Sequence, residues 1–378
     1  EPAWPQDVLI EAEGGILVDA DSGTVLYGKN IHQRYYPASI TKILTALIVI
    51  ERCKLDDTIT FSYDAVHNVE SGSTSAGYGV GDKITVREAL YALLLRSANE
   101  VANALAEHCA GSREAFARLM NEKAASLGCK ESHFTNPSGL NDENHYTTAY
   151  DYSLIAMAAF KNPTFVEFDS TTYYELPPNS ANAEPFTIYC GHKMLKKSSG
   201  LYYPGIIGGK TGYTSAAGNT LVTCAERNGV RLIAVVMKSK RTQYADTRAL
   251  LDYGFQLAGE SGGKKQEAVG GETAQETSGR VQALTANSQA QSQQENPAEN
   301  QQAVSRQTVS PAGSQANPAS RQEANPSANQ NQALSGPGAK LPSQAGWLQR
   351  NGVWAYRAAN GELVKNARRE INGVQYWF

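Results

Sequence analysis

Three short polar stretches sit in apolar surroundings and carry the residue types of acyl-transfer chemistry. In YYPASITKILTALIVIE, residues 35–51, Ser39 and Lys42 open a strongly apolar run. Residues three apart share a helix face, so the Lys42 amine can reach the Ser39 hydroxyl. Serine is a poor nucleophile at neutral pH until a base takes its proton. Lysine is such a base only when burial or nearby positive charge lowers its pKa, and the apolar run supplies the burial. A helix N-terminus also favours the negative charge that develops on an attacked carbonyl. The plainer reading makes Ser39 an ordinary N-cap beside a stray charge, and the pair alone does not separate the two.

The second stretch is Ser97-Ala98-Asn99, which breaks the helical pattern of VREALYALLLRSANEVANALAEHC, residues 86–109. Ser-Ala-Asn also occurs at 180–182 and 327–329, in a proline-rich loop and a polar tract. Only the first copy interrupts an apolar helix, where two polar side chains need a reason; a helix junction capped by Ser97 is the competing one. The third is Lys210-Thr211-Gly212 in GGKTGYTSAAGN, entering a strand. It is either a lysine on a solvated strand or a cationic, hydroxyl-lined edge, with glycine letting a ligand approach the backbone. In the second case Lys210 can bind a carboxylate and lower the pKa of Lys42 by like-charge repulsion. The glycine-rich SGSTSAGYGVGD (71–82) lacks the spacing of a phosphate loop.

The elements that must position these groups follow from periodicity. GILVDADSGTVLYG reads as a hairpin around a turn cluster, followed by a helix from about Ile40 to Cys53. Further helices are expected at 112–127 and 147–160, the latter with threonine caps. GGKTGYT is a strand, and NTLVTCAERNGVRLIAVVMKS is two more joined at Asn228-Gly229, a strong hairpin signal. A helix over 243–258 closes the domain. Late strands joined by tight turns are antiparallel, so the fold class is α+β, with the front hairpin at the edge of the same sheet.

Composition divides the 378-residue chain sharply. Residues 1–258 are globular in character. Residues 259–345 contain no Phe, Trp, Tyr, Ile or Cys and read as a disordered Gln/Asn/Ala/Ser/Pro linker, unable to bury enough apolar surface to offset ordering. Aromatics return over 346–378. A net charge of −3 gives no footprint for nucleic acid or an anionic membrane. No apolar run is long enough to span a bilayer. With Glu1 and Trp4-Pro5 at the front, a mature secreted form is expected. Five separated cysteines without a CxxC read mainly as small buried hydrophobes, with one disulfide left open. Six scattered histidines without HExxH give no metal site, and no cofactor is expected.

Ser-x-x-Lys opening an apolar helix, Ser-x-Asn interrupting a later one and Lys-Thr-Gly on a late strand form the trio of penicillin-binding proteins and β-lactamases. YYPASITKILTA, LLLRSANEVANALAEHCAGS, FTNPSGLNDENHYTTAYDYSLIA and GGKTGYTSAAGNTLVTCAERNG resemble the low-molecular-weight serine D-alanyl-D-alanine carboxypeptidases over nearly all of residues 9–258. The resemblance implies an antiparallel sheet flanked by helices, plus a helical subdomain. It implies that Ser39 attacks the carbonyl between the terminal D-alanines of a peptidoglycan stem peptide, with Lys42 as proton acceptor. Ser97 would relay a proton to the leaving nitrogen, and Asn99 would hold the substrate backbone. Lys210, Thr211 and Thr214, with Gly212 between them, would receive the terminal carboxylate. The backbone N–H groups of Ser39 and Tyr213 would form the oxyanion hole. β-Lactam antibiotics would then be covalent inhibitors.

Two departures stand out. Where relatives often carry an arginine before the aromatic residue of the last helix, this chain has Gln243, with Arg241 two residues earlier. The tail GWLQRNGVWAYRAANGELVKNARREINGVQYWF resembles the aromatic repeats of choline- and glucan-binding proteins. Such repeats form short hairpins whose aromatics could box a quaternary ammonium or stack on sugar, but barely two copies are present. Two rival functions remain: a β-lactamase, for which no Glu-x-x-x-Asn is suitably placed between Asn99 and Lys210, and an inert wall-binding protein.

Overall fold

The computed structural model describes residues 8–266 and the strand backbones of 346–350, 353–357, 368–371 and 374–377. The chain opens with the antiparallel hairpin of β1 (Gly14–Asp19) and β2 (Val25–Lys29). A 3-10 turn over Ala38–Thr41 leads into α1 (Lys42–Arg52). A mainly helical lobe follows: β3 (Thr58–Thr60), α2 (Tyr63–His67), β4 (Lys83–Thr85), α3 (Val86–Tyr91), a π-turn at Ala92–Arg96, α4 (Asn99–Ala110) and α5 (Arg113–Ser126). Then come α6 (Ala149–Lys161), α7 (Pro163–Asp169) and a hairpin of β5 (Tyr173–Leu176) with β6 (Phe186–Tyr189). The sheet is completed by β7 (Ile206–Thr214), β8 (Gly218–Arg227) and β9 (Val230–Ser239), and α8 (Gln243–Gln266) follows.

Among the strands of residues 14–239 the order is β2-β1-β9-β8-β7, every neighbouring pair antiparallel. Asn228 and Gly229 both have positive φ, 51° and 74°, the geometry that matches the twist of a two-residue hairpin. The sheet is covered on both faces, and its residues alternate between two cores. Ile16, Val18, Ile233, Val235 and Met237 face the core that also holds α1, α4 and α6. Leu17, Leu232, Ala234 and Val236 face the core that contains Leu250 and Leu251 of α8. In α1 every residue from Lys42 to Val49 is buried, the pattern of a helix enclosed on all sides. Helix starts are fixed by side-chain caps from Ser62, Ser112, Thr148 and Asn162, and by a Thr85–Glu88 capping box.

Two sequence expectations change, and two short strand pairs are added. The helix expected from Ile40 begins as a separate 3-10 turn, so Ser39 lies inside that turn rather than capping α1. α8 continues eight residues past 258, because a helix once nucleated adds one backbone bond per residue. The three- and four-residue pairs β3–β4 and β5–β6 are too short to carry a periodic signal. The linker expected over 259–345 lies, from 267 onward, outside the described residues. In the tail the backbone makes two antiparallel hairpins, β10 (Gly346–Arg350) with β11 (Val353–Arg357), and β12 (Arg368–Ile371) with β13 (Val374–Trp377). β13 meets β2 in a single parallel pairing, Tyr376 with Val25.

Candidate active site

All three motifs converge where α1 and α4 begin and the edge strand β7 passes the 3-10 turn. Lys42 is 0% exposed. Its Nζ lies 3.1 Å from Ser39 Oγ, 2.7 Å from Asn99 Oδ1 and 2.6 Å from the carbonyl oxygen of Ser138. Two of those neighbours, an amide oxygen and a backbone carbonyl, can only accept. A neutral amine would donate to both and turn its lone pair toward Ser39 Oγ–H. Burial lowers the Lys42 pKa well below its usual value, the positive charge of Lys210 lowers it further, and Glu100 opposes the shift.

Lys210 is also buried, 3% exposed, and donates to Ser97 Oγ at 2.9 Å and to the carbonyl of Thr211 at 3.0 Å. Burial lowers its pKa to about 8, opposed by Cys190 and Asp169. Burial thus lowers both lysines, and for Lys42 the neighbouring charge of Lys210 adds to the effect. Neither hydroxyl acts as a helix cap. The 3-10 turn has no side-chain cap, and the residue capping α4 is Ala98. Ser97 instead sits at φ 63° at the end of the π-turn, a left-handed conformation that aims its side chain away from the helix path.

β7 forms the facing wall. A Cβ on Gly212 would stand 2.9 Å from Ser39 N and 2.3 Å from Thr220 Oγ1, so only glycine lets the strand pass this close to Ser39. Thr220 Oγ1 donates to the Pro37 carbonyl at 2.8 Å, tying β8 to the same turn. Thr211 is half-buried and Tyr213 is 67% exposed. Thr214 Oγ1 donates to Asn141 Oδ1 at 2.8 Å and accepts from Ala217 N. Arg241 is exposed with φ 86°, whereas Gln243 Nε2 lies 3.5 Å from Asn219 Oδ1.

Several positioning groups were not singled out in the sequence. Asn136 Oδ1 accepts from Ser138 N, Ser138 Oγ and Gly139 N, shaping the turn that presents the Ser138 carbonyl to Lys42. His145 Nδ1 accepts from Thr135 N, which leaves Nε2 to donate to Thr41 Oγ1 at 3.0 Å; burial lowers its pKa to about 3, so it stays neutral. Tyr152 Oη donates to the Ile40 carbonyl, and Thr45 Oγ1 to the Pro137 carbonyl. Behind β7, Asp169 is fully enclosed and its pKa is raised to about 7 by burial, opposed by the Gly209 N–H and by Lys210. The segment FTNPSGLNDENHYTTAYDYS had signalled this region, through Asn136, Ser138, His145 and Tyr152, only as a whole. The single Glu-x-x-x-Asn spacing between Asn99 and Lys210, Glu175 to Asn179, places Glu175 exposed on β5. Among the described residues no group of His, Cys, Asp and Glu side chains could hold a metal ion.

A family model described as D-alanyl-D-alanine carboxypeptidase matches residues 2–241, more than half of the chain. The chain belongs to the D-alanyl-D-alanine carboxypeptidase family. Among relatives in this family, DacF of Bacillus subtilis is 34% identical over 252 residues, which cover 65% of this chain and 62% of that protein. DacB2 of Mycobacterium tuberculosis is 36% identical, covering 65% of this chain and 83% of its own length. This chain thus spans less than two thirds of the Bacillus relative. Among solved structures, the Streptomyces K15 DD-transpeptidase aligns with a TM-score of 0.61 at 30% identity, over 67% of this chain and 100% of that one. A D-alanyl-D-alanine carboxypeptidase from Mycobacterium tuberculosis aligns with a TM-score of 0.60 at 32% identity, over 67% and 96%. In these family terms the α+β architecture is that of the penicillin-binding D,D-peptidases.

Proposed function

We propose that this chain is a serine D-alanyl-D-alanine carboxypeptidase that removes the terminal D-alanine of peptidoglycan stem peptides through an acyl-Ser39 intermediate. The observation that carries the reading is the enclosed Lys42 amine, with Asn99 Oδ1 and the Ser138 carbonyl as acceptors and Ser39 Oγ as its third neighbour. Neutral Lys42 takes the Ser39 proton as Oγ bonds to the carbonyl carbon. The oxyanion is received by the backbone N–H groups of Ser39 and Tyr213. Collapse breaks the C–N bond, and Ser97, held against Lys210, passes a proton to the departing D-alanine nitrogen. Charged Lys210, with Thr211 and Thr214 along β7 and Gly212 giving access, holds the terminal carboxylate, and Asn99 the substrate backbone. Water then attacks the ester and frees Ser39. A β-lactam follows the same first step and remains attached, because its leaving nitrogen stays tethered to the acyl group.

The action of the family on peptidoglycan supports a location outside the cytoplasm, at the cell wall. Among the described residues no helix is long and apolar enough to cross a membrane. We assign residues 1–258 to the catalytic unit, 259–345 to a spacer and 346–378 to wall attachment through glycan or choline. Intact-protein mass spectrometry after penicillin treatment tests the central reading. One long-lived adduct on Ser39, absent in Ser39→Ala, is expected. An unlabelled wild-type chain would falsify it, and rapid turnover of penicillin would favour a β-lactamase instead.

A further inference from the structure

α1 and α4 meet at their starts, where Lys42 bonds Asn99, and they meet again at their ends. Cys53 is the C-cap of α1 and Cys109 lies in the last turn of α4, and the two thiols are near enough to perturb each other. Both are only partly buried, so small reagents have access. A contact alongside, His108 Nε2 to Asp57 Oδ2 at 3.6 Å, holds the segment after Cys53 against the end of α4. The other three cysteines are engaged elsewhere. Cys129 Sγ donates to the Asp151 carbonyl, Cys190 Sγ accepts from His192 N, and Cys224 is enclosed within β8.

We propose that Cys53 and Cys109 are a dithiol–disulfide site, oxidised by exchange with an external disulfide, that locks the far ends of α1 and α4 together. The Cys109 thiolate attacks one sulfur of the external disulfide and expels the first thiol. The Cys53 sulfur then loses its proton, attacks Cys109 Sγ in the mixed disulfide and expels the second. Two protein thiols are oxidised, and one external disulfide is reduced to two thiols. The electrostatics favour this order: the neighbouring Cys53, aided by the Arg52 charge, lowers the Cys109 pKa, while the neighbouring Cys109, followed by burial, raises that of Cys53. An extracytoplasmic location would suit such a bond, but the site stands on its own geometry and not on the catalytic assignment.

The bond would close a loop of 57 residues, 53 through 109 inclusive. The full chain is incubated with glutathione disulfide, alkylated and digested without reduction. The expected product is a single linked peptide pair joining Cys53 to Cys109, with Cys129, Cys190 and Cys224 alkylated once unfolded. The thermal midpoint of the oxidised chain should rise by about 10 °C, and Cys53→Ser should instead retain glutathione on Cys109. Recovery of both cysteines alkylated, a link to any other cysteine, or a linked chain with an unmoved midpoint would each overturn the proposal. The wild-type peptide map decides the linkage even where a variant folds poorly.

Discussion

At the scale of single residues, the candidate site holds two buried lysines whose proposed roles call for opposite protonation. Lys42 must be neutral to accept a proton, and Lys210 must be charged to hold a carboxylate. Their shifts fix the sign of the pH dependence. As pH rises, activity grows while Lys42 loses its proton, then falls as Lys210 deprotonates around its pKa of about 8. In Lys210→Arg the guanidinium stays charged, so the alkaline limb of kcat/KM should flatten, with the overall value lowered by on the order of tenfold or more. An alkaline limb unchanged in that variant would assign the second ionisation to another group. Ser39, Lys42, Ser97, Asn99 and Lys210 were legible in the sequence because each is a polar type in an apolar setting. The Ser138 acceptor was not, because it is a backbone carbonyl, and every residue has one. Asp169 was equally hidden: only the fold encloses it behind β7.

At the scale of elements, the Ser39 and Ser97 hydroxyls of the proposed site are held by strained backbone. Ala38, just before Ser39, has φ 52°, and Ser97 has φ 63°. Each such non-glycine residue costs about 1–3 kcal/mol, sustained by its surroundings. The surroundings of Ala38 include Gly139, at φ 86°, where a Cβ would stand 1.9 Å from the Ala38 carbonyl oxygen. Gly139→Ala should therefore destabilise the protein by about 3 kcal/mol, near 10 °C in midpoint. It should also slow penicillin acylation, because the displaced turn carries the Ser138 carbonyl away from Lys42. Calorimetry and labelling kinetics on one sample check both, and a variant with wild-type midpoint would refute the packing argument. The strands around Asn228-Gly229 were legible from turn chemistry and alternation. The 3-10 turn and the π-turn were not, because each is a single turn; the first is held by tertiary contacts of Tyr152 and Thr220 with the Pro37–Ile40 segment.

At the scale of the whole molecule, composition changes near residue 259, while α8 runs on to Gln266. All proposed site residues lie between 39 and 214. A chain ended after Gln266 should accordingly keep its penicillin acylation rate and lose any affinity for cell walls; a large fall in acylation would give the tail a catalytic part. The bonds at the site join distant stretches: Lys42 reaches Asn99 across 57 positions and Ser138 across 96, and Lys210 reaches Ser97 across 113. Contacts of such long sequence separation are slow to form. Neither lysine finds its partners until the helical lobe has closed on the sheet. Covalent capture of a fluorescent penicillin during refolding would therefore act as a stopwatch for the last assembly step, and its signal should trail the recovery of helical circular dichroism.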